Sequence, residues 1–118
     1  MLKSFKELMV WNRAIELVKE IYKETGKLPA NEIYGLSSQM RRASVSIPSN
    51  IAEGQSRKNL KEFLQFLRIS YGSAAELETQ LIITTDLFPK INLDKIKGLL
   101  DEVQKMLNAM IRKLETRS

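Results

Sequence analysis

The stretch RRASVSIPSNIAEG, residues 41–54, decides the fold, because it can be interpreted either as a strand or as a helix that contains a proline. Ala43, Val45 and Ile47 alternate as the residues of a strand do. At 100° per residue, however, five apolar side chains share one narrow helical face. They are Leu36, Met40, Ala43, Ile47 and Ile51. This longer stripe favours a helix that includes Pro48 and turns the stripe toward a core.

A proline inside a helix removes one backbone hydrogen bond and presses on the carbonyl four residues earlier, at a cost of about 3 kcal/mol. Neighbouring polar side chains can donate to backbone oxygens, and a kink curves a helix around a core. The side chains in question are Ser44, Ser46, Ser49 and Asn50. We therefore expect one helix kinked at Pro48. The alternative is two helices that meet at Pro48, with the proline in the first turn of the second.

Four amphipathic segments separated by short breakers make up the chain. They predict helices over residues 4–25, 31–53, 59–87 and 93–115. Ser4, with Glu7 three residues later, fits a capping box at the start of the first helix, and Asn59 and Asn92 are the expected N-caps of the last two. No other segment has the pattern of a strand. The sequence thus predicts an all-α fold with a single domain over residues 1–118. Short connections indicate an up-down-up-down antiparallel four-helix bundle, with helix 2 kinked at Pro48.

The composition excludes several classes of function. The 118 residues include no histidine and no cysteine, so a Ser-His-Asp triad, a cysteine nucleophile and a thiolate zinc site are ruled out. We expect no enzyme, no cofactor and no metal. The chain has no apolar run long enough to cross a membrane, and its start lacks the apolar core of a signal peptide. These features predict a cytoplasmic protein without membrane contact.

Positive charge is concentrated between residues 41 and 68, although the whole chain carries only +5. A localised basic patch is typical of a surface that binds a polyanion such as RNA or DNA. No aromatic residues are interleaved with the basic ones, so we expect salt-sensitive contacts to phosphates rather than base stacking. The candidate nucleic-acid-binding residues are Arg41, Arg42, Arg57, Lys58, Lys61 and Arg68. An ordinary solvated helix surface is the alternative.

A second line on helix 2 is half apolar and lies outside the core stripe. Helix 1 is apolar over an arc too wide for one bundle, and helix 3 also leaves two apolar residues off its main stripe. Apolar clusters of this kind mark contacts between subunits. We predict a homo-oligomer whose interface includes Val45, Pro48, Ala52, Phe66 and Ile69. Close helix packing within one chain is the alternative.

Charged residues on the outer face of helix 2 have a second interpretation. Arg42 and Glu53 share this face but lie about 16 Å apart, so each needs a partner from another helix or another subunit. Glu76 on helix 3 is a candidate partner for an arginine. Structural ion pairs that involve Arg42, Glu53 and Glu76 are therefore the alternative to phosphate contact, because buried charges are normally paired.

Three segments carry a resemblance to a known family. QMRRASVSIPSNIAEGQSR (39–57), KEFLQFLRISYGSAAELETQL (61–81) and LMVWNRAIELVKEIY (8–22) resemble the four-helix-bundle proteins encoded within intervening sequences of 23S ribosomal RNA. The resemblance implies a bacterial homopentamer. That family is similar in fold to the accessory variability proteins of diversity-generating retroelements, which bind nucleic acid and a reverse transcriptase.

Two functions are expected by this analogy of fold. The first is a homo-oligomer that binds RNA or DNA through its basic surface. The second is a scaffold for a protein partner, for example a reverse transcriptase, in which the arginines serve as structural ion pairs.

Overall fold

The computed structural model describes residues 4–117, and four α-helices account for most of them. They are α1 (Met9–Thr25), α2 (Leu36–Ser56), α3 (Leu60–Leu87) and α4 (Asp94–Glu115). Short 3-10 turns, Phe5–Glu7 and Ala30–Glu32, precede α1 and α2. No strand occurs in this described part, so the predicted all-α class with four helices is confirmed. Residues 1–3 and 118 of the predicted domain lie outside the described residues.

The stretch RRASVSIPSNIAEG lies within α2, which runs without interruption through Pro48. One helix is therefore confirmed, and both the strand and the two-helix alternative are wrong. Polar side chains bond the two carbonyls that directly precede the proline. Asn50 Nδ2 donates to the Ser46 carbonyl at 2.8 Å. Ser70 Oγ of α3 donates to the Ile47 carbonyl at 2.9 Å. Pro48 removes the helical bond to the Ser44 carbonyl, four residues earlier, so these two bonds add hydrogen bonding around the proline but do not replace the lost one.

The helix ends follow one predicted capping residue and depart from two others. Asn59 caps α3, because its side chain accepts a hydrogen bond from the backbone amide three residues later. Ser4 instead caps the 3-10 turn, and the extended backbone of Leu8 separates that turn from α1. Asn92 accepts from the amide two residues later, which places the first residue of α4 one position beyond the prediction.

One core runs through the four helices, and each contributes a periodic apolar stripe. On α2 its buried members are the predicted Met40, Ala43, Ile47 and Ile51, whereas Leu36 at the helix start is half-buried. Contacts join α1 to α2, α2 to α3, α3 to α4 and α4 to α1. Within residues 4–117 no diagonal pair of helices brings Cα atoms within 8 Å of each other, which is consistent with the packing of a four-helix bundle. The bundle measures 45 × 20 × 19 Å.

Contacts between α2 and α3 occur in opposite sequence order on the two helices. Near the start of α2, Met40 Sδ lies 3.6 Å from Thr84 Oγ1, close to the end of α3. Near the end of α2, Gly54 lies against Phe63 in the first turn of α3. The first residues of α3 therefore lie beside the last residues of α2.

Two ion pairs join α1 to α4. Arg13 Nε donates to Glu102 Oε1 at 2.8 Å, and Lys95 Nζ lies 2.7 Å from Glu20 Oε1. The hydrogen bond from Lys95 lowers the pKa of Glu20 and, reciprocally, raises the pKa of Lys95. Ion pairs therefore connect the two helices along the side of α1 that faces α4.

Candidate nucleic-acid interface

The six cations predicted to bind nucleic acid form two groups on the bundle. Arg41 and Arg42 lie in the first two turns of α2, whereas the others surround the connection between α2 and α3. About 24 Å of helix separates Arg41 from Arg57, at 1.5 Å per residue. The six residues therefore belong to two surfaces rather than to one patch.

Arg41 is engaged by the end of α1. Its guanidinium carbon lies 4.6 Å from the centroid of the Tyr22 ring, and its Nε donates to Thr25 Oγ1 at 2.9 Å. Stacking on an aromatic face and a hydrogen bond to a hydroxyl both hold the guanidinium in place. The Arg41 side chain is half-buried as a result, and it fastens α2 to α1.

The residues predicted to form structural ion pairs are exposed on the outer face of α2 and α3. Glu53 pairs with Arg57, one turn later on the same helix, with 3.6 Å between Oε2 and Nε. Arg42 and Glu76 make no ion pair within residues 4–117. A buried Arg–Glu pair inside one chain is therefore not formed, and a pair between two copies stays a prediction.

The connection between α2 and α3 is very short and presents two unpaired lysines. Lys58 has a φ of 55°, which is the left-handed region, and this turn allows the chain to reverse direction before Asn59 caps α3. Arg57 lies over the Phe66 ring at 5.3 Å as well as beside Glu53. Lys58 and Lys61 are exposed and make no ion pair in the described part of the chain.

A recess of about 490 Å³ lies next to this connection. Its lining combines cations with an apolar floor, and consists of Asn59, Leu60, Lys61, Leu64 and Arg68. Arg68 also pairs with Glu115, with 2.7 Å between the guanidinium nitrogen and the carboxylate oxygen. The recess can therefore accept an anionic group beside Lys61, although Arg68 already has a carboxylate partner.

The Arg68–Glu115 pair also locates residues that the sequence patch omitted. It places the last turn of α4 beside the first turns of α3, so the basic residues of that last turn join the same end of the bundle. They are Arg112 and Lys113, and Arg117 follows just beyond the end of the helix. The short connections could have indicated these residues from the sequence. Short connections are typical of a bundle whose helices alternate in direction, and in such a bundle the end of the fourth helix lies near the connection between the second and third.

The residues predicted to form a subunit interface differ in exposure. Val45 is 39% exposed and Ile69 is 45% exposed, so both have apolar surface to offer to another molecule. Ala52 and Phe66 are half-buried. Pro48 is buried within the chain, which leaves little of its ring for a contact with another copy.

Partly exposed apolar residues lie on the side of the bundle where α1 meets α2, and they include Val45. Arg41 lies over Tyr22 of α1, and Val45 follows Arg41 by one helical turn on the same side of α2. On α1 the predicted apolar stripe is half-buried apart from Tyr22, which is 46% exposed. It comprises Leu8, Trp11, Ile15, Val18 and Tyr22. The two neighbouring helices thus leave a partly exposed apolar strip along one side of the bundle.

The sequence model of one family, the 23S rRNA-intervening sequence proteins, matches residues 6–109. The chain belongs to this family. Among solved structures, the 23S rRNA-intervening sequence protein is similar to a Bacteroides thetaiotaomicron protein of unknown function from the S23 ribosomal protein family. The two are 24% identical with a TM-score of 0.75, over 87% of this chain and 98% of the other. At that identity the likeness shows the fold alone.

No protein with a curated functional description matches the sequence of this 23S rRNA-intervening sequence protein. Within residues 4–117, no helix combines the length and the apolar character that a membrane crossing needs.

Proposed function

We propose that this protein is a non-enzymatic homo-oligomer that binds RNA or DNA through a basic surface. The observation that carries the proposal is the α2–α3 connection, where Lys58 and Lys61 are exposed without an acidic partner beside a cation-lined recess. Lysines without an acidic partner contact phosphates without first breaking an ion pair. Because phosphates are common to every sequence, the binding is sequence-tolerant and weakens as salt rises.

Assembly of several copies strengthens such binding. The partly exposed apolar strip between α1 and α2 supports a contact between copies, because exposed apolar patches are typical of interfaces. Each copy adds its own cations, so that neighbouring copies engage one polyanion with a high effective concentration. The family resemblance supports five copies.

We also infer that the helices alternate in direction and that α2 bends at Pro48. The opposite sequence order of the contacts between α2 and α3 supports the alternation. Proline has no amide hydrogen to give to the carbonyl four residues earlier, and helices bend at such positions.

The test of nucleic-acid binding is a salt series with fluorescein-labelled single-stranded RNA and duplex DNA, followed by fluorescence anisotropy. The Kd should rise steeply with salt from about 50 mM, where phosphate contacts are strongest. The double variant Lys58→Glu, Lys61→Glu should bind more weakly. The control Lys19→Glu, Lys90→Glu makes the same charge change at exposed residues without ion pairs. If wild type binds neither probe at about 50 mM salt, the proposed function is wrong.

The test of assembly is the mass in solution, measured by light scattering. Val45→Lys places a charge on the apolar strip and should lower the mass to that of the monomer. Ile82→Lys is the matched control, because Ile82 is an exposed isoleucine on α3 and lies outside the strip. A wild-type protein that is already monomeric at micromolar concentration contradicts the homo-oligomer.

A scaffold for a protein partner is the second candidate function. It is favoured by Arg41, Arg57 and Arg68, which all make contacts within the chain and so behave as structural residues. Tyr34, in the connection before α2, is 94% exposed and offers an aromatic side chain to a partner. An absence of nucleic-acid binding in the salt series, together with an intact oligomer, would favour this function over the first.

A further inference from the structure

We propose that the phosphate-binding surface is one end of the bundle. Three of its cations come from the C-terminal end of α4: Arg112 and Lys113 in the last turn, and Arg117 just beyond it. We call this surface the basic end; its other cations are Lys58, Lys61 and Arg68. The inference deepens the proposed function and rests on it. It also removes Arg41 and Arg42 from the phosphate contacts, because they lie toward the opposite end of α2.

The formal charges of the described residues are divided unequally along the bundle. The half that contains the α2–α3 connection comprises residues 4–16, 47–74 and 103–117. It holds ten basic and five acidic residues. The other half, residues 17–46 and 75–102, holds eight basic and nine acidic residues. Nearly all of the net positive charge of the chain is therefore located at one end.

The contacts of α4 explain why its cations belong to the basic end. Arg68 of α3 and Glu115 of α4 are 2.7 Å apart, so the last turn of α4 lies beside the recess. Arg112, Lys113 and Arg117 are exposed, and their side chains make no ion pair within residues 4–117. Cations near a helix C-terminus also interact favourably with the helix dipole. That role does not require three of them beside Lys58 of the α2–α3 connection and Lys61 of α3, which make no ion pair in the described residues.

Three of the cations in the opposite half are held by neighbouring groups. Lys95 pairs with Glu20, and Lys27 pairs with Glu24 at 3.0 Å. Arg41 is held by the end of α1. A polyanion that approaches this half meets acidic residues as often as basic ones, so the long-range attraction is directed to the basic end.

The dimensions of the basic end fit a phosphate backbone. The bundle is 20 × 19 Å in cross-section. Phosphates follow one another by about 3.4 Å along one strand of a duplex, so roughly six of them cross this width. The apolar strip of α1 and α2 runs along the side of the bundle, and assembly through it leaves the end uncovered.

The experiment compares two triple variants with equal loss of charge. Arg112→Gln, Lys113→Gln, Arg117→Gln removes the α4 cations, and Lys19→Gln, Lys90→Gln, Lys97→Gln removes three exposed cations of the opposite half. Binding of fluorescein-labelled single-stranded RNA and duplex DNA is followed across a salt series. For the first variant, the slope of log K against log salt should fall in magnitude by about two to three, since each lost phosphate contact contributes about 0.7 to 0.9. The second variant should keep the wild-type slope.

A single substitution outside the helix tests the same surface with less risk of altering the fold. Arg117 lies beyond the end of α4, so Arg117→Gln leaves the helix intact, and it should lower the slope by about 0.7 to 0.9. Circular dichroism melting checks that every variant is folded.

The outcomes separate this inference from the proposed function. If wild type binds and both triple variants lose the same slope, the basic end is wrong while nucleic-acid binding stands. The same conclusion follows if Arg42→Gln lowers the slope and the α4 variant does not. If wild type binds no nucleic acid at about 50 mM salt, the proposed function itself is wrong. Binding to vesicles rich in phosphatidylserine without binding to either nucleic acid would replace the polyanion by a membrane surface.

Discussion

The two sides of α2 are closed to different degrees. On the α3 side, a Cβ added at Gly54 would lie only 2.8 Å from Phe66 Cβ, and Ser70 reaches the Ile47 carbonyl. On the α1 side, Val45 remains partly exposed, and Arg41 is fastened over Tyr22 instead of a second apolar layer. On its α3 side, α2 is therefore closely packed within the chain. On its α1 side, apolar surface remains partly exposed.

This difference assigns separate roles to the small residues and to the larger apolar ones. The small residues of SVSIPSNIAEG allow α2 and α3 to approach closely, so they are needed by a single chain. Val45 and the α1 stripe are not packed as closely by other residues of the chain. We propose that a second copy of the protein covers them. Pro48 belongs with the first group, because it is buried within the chain.

The largest expected effect is at the closest point of the α2–α3 contact. Gly54→Ala puts a methyl group 2.8 Å from Phe66 Cβ and 2.9 Å from Phe63 Cδ1, so the helices must move apart. We expect the free energy of unfolding to fall by about 1–3 kcal/mol. Urea unfolding followed by circular dichroism measures it.

Gly72→Ala is the matched control, because no atom of another described helix lies within 4 Å of a Cβ built there. Without a clash, alanine should raise the free energy of unfolding by about 0.5–1 kcal/mol through its higher helix propensity. Equal stabilisation by both substitutions would contradict a close α2–α3 crossing.

Ser70→Ala tests the polar part of the same contact. Ser70 Oγ is buried and donates to the Ile47 carbonyl, so its loss should lower the free energy of unfolding by about 1 kcal/mol. Thr79→Ala is the control, because the Thr79 hydroxyl bonds a carbonyl of its own helix and is exposed. Its effect should stay within about 0.5 kcal/mol. If Ser70→Ala leaves the free energy of unfolding unchanged, apolar packing alone stabilises the contact between α2 and α3.

The core was predictable because it depends on periodicity. Met40, Ala43, Ile47 and Ile51 share a face at any helical geometry, so their burial follows from the sequence alone. The start of α1 was not predictable, because Ser4 can cap a 3-10 turn as readily as an α-helix. The extended Leu8, which separates the 3-10 turn from α1, does not interrupt the apolar pattern of the sequence.

The candidate site was predictable only in its composition. Arg41 and Arg57 are basic residues of one segment, but the first is bound by Tyr22 of α1 and the second by Phe66 of α3. Such contacts depend on which residues of other helices lie at the same height. Adding up charges along the sequence does not show which helices bring residues together. For the same reason, the predicted basic patch did not include the cations at the end of α4.

Arg41→Ala and Arg42→Ala test the α1 side of α2 with neighbouring residues. Arg41 contacts the Tyr22 ring and the Thr25 hydroxyl, and its loss should lower the free energy of unfolding by about 1 kcal/mol. Arg42 is exposed and makes no ion pair in the described part of the chain, so its loss should change stability by less than about 0.5 kcal/mol. A destabilising Arg42→Ala in the oligomer, absent from the Val45→Lys monomer, would indicate an ion pair between copies.

The smallest effect is expected where α1 meets α4, at a contact that two ion pairs join. Lys95 lowers the pKa of Glu20 in the folded protein, so the pair stabilises the fold above the unfolded pKa of this carboxyl. That contribution is lost as the pH falls through the lower, folded pKa. Glu20→Gln should therefore melt below wild type near neutral pH, and the two melting temperatures should converge in acid. Glu76→Gln removes the same charge without breaking an ion pair, so a similar pH dependence in that variant would attribute the effect to net charge instead.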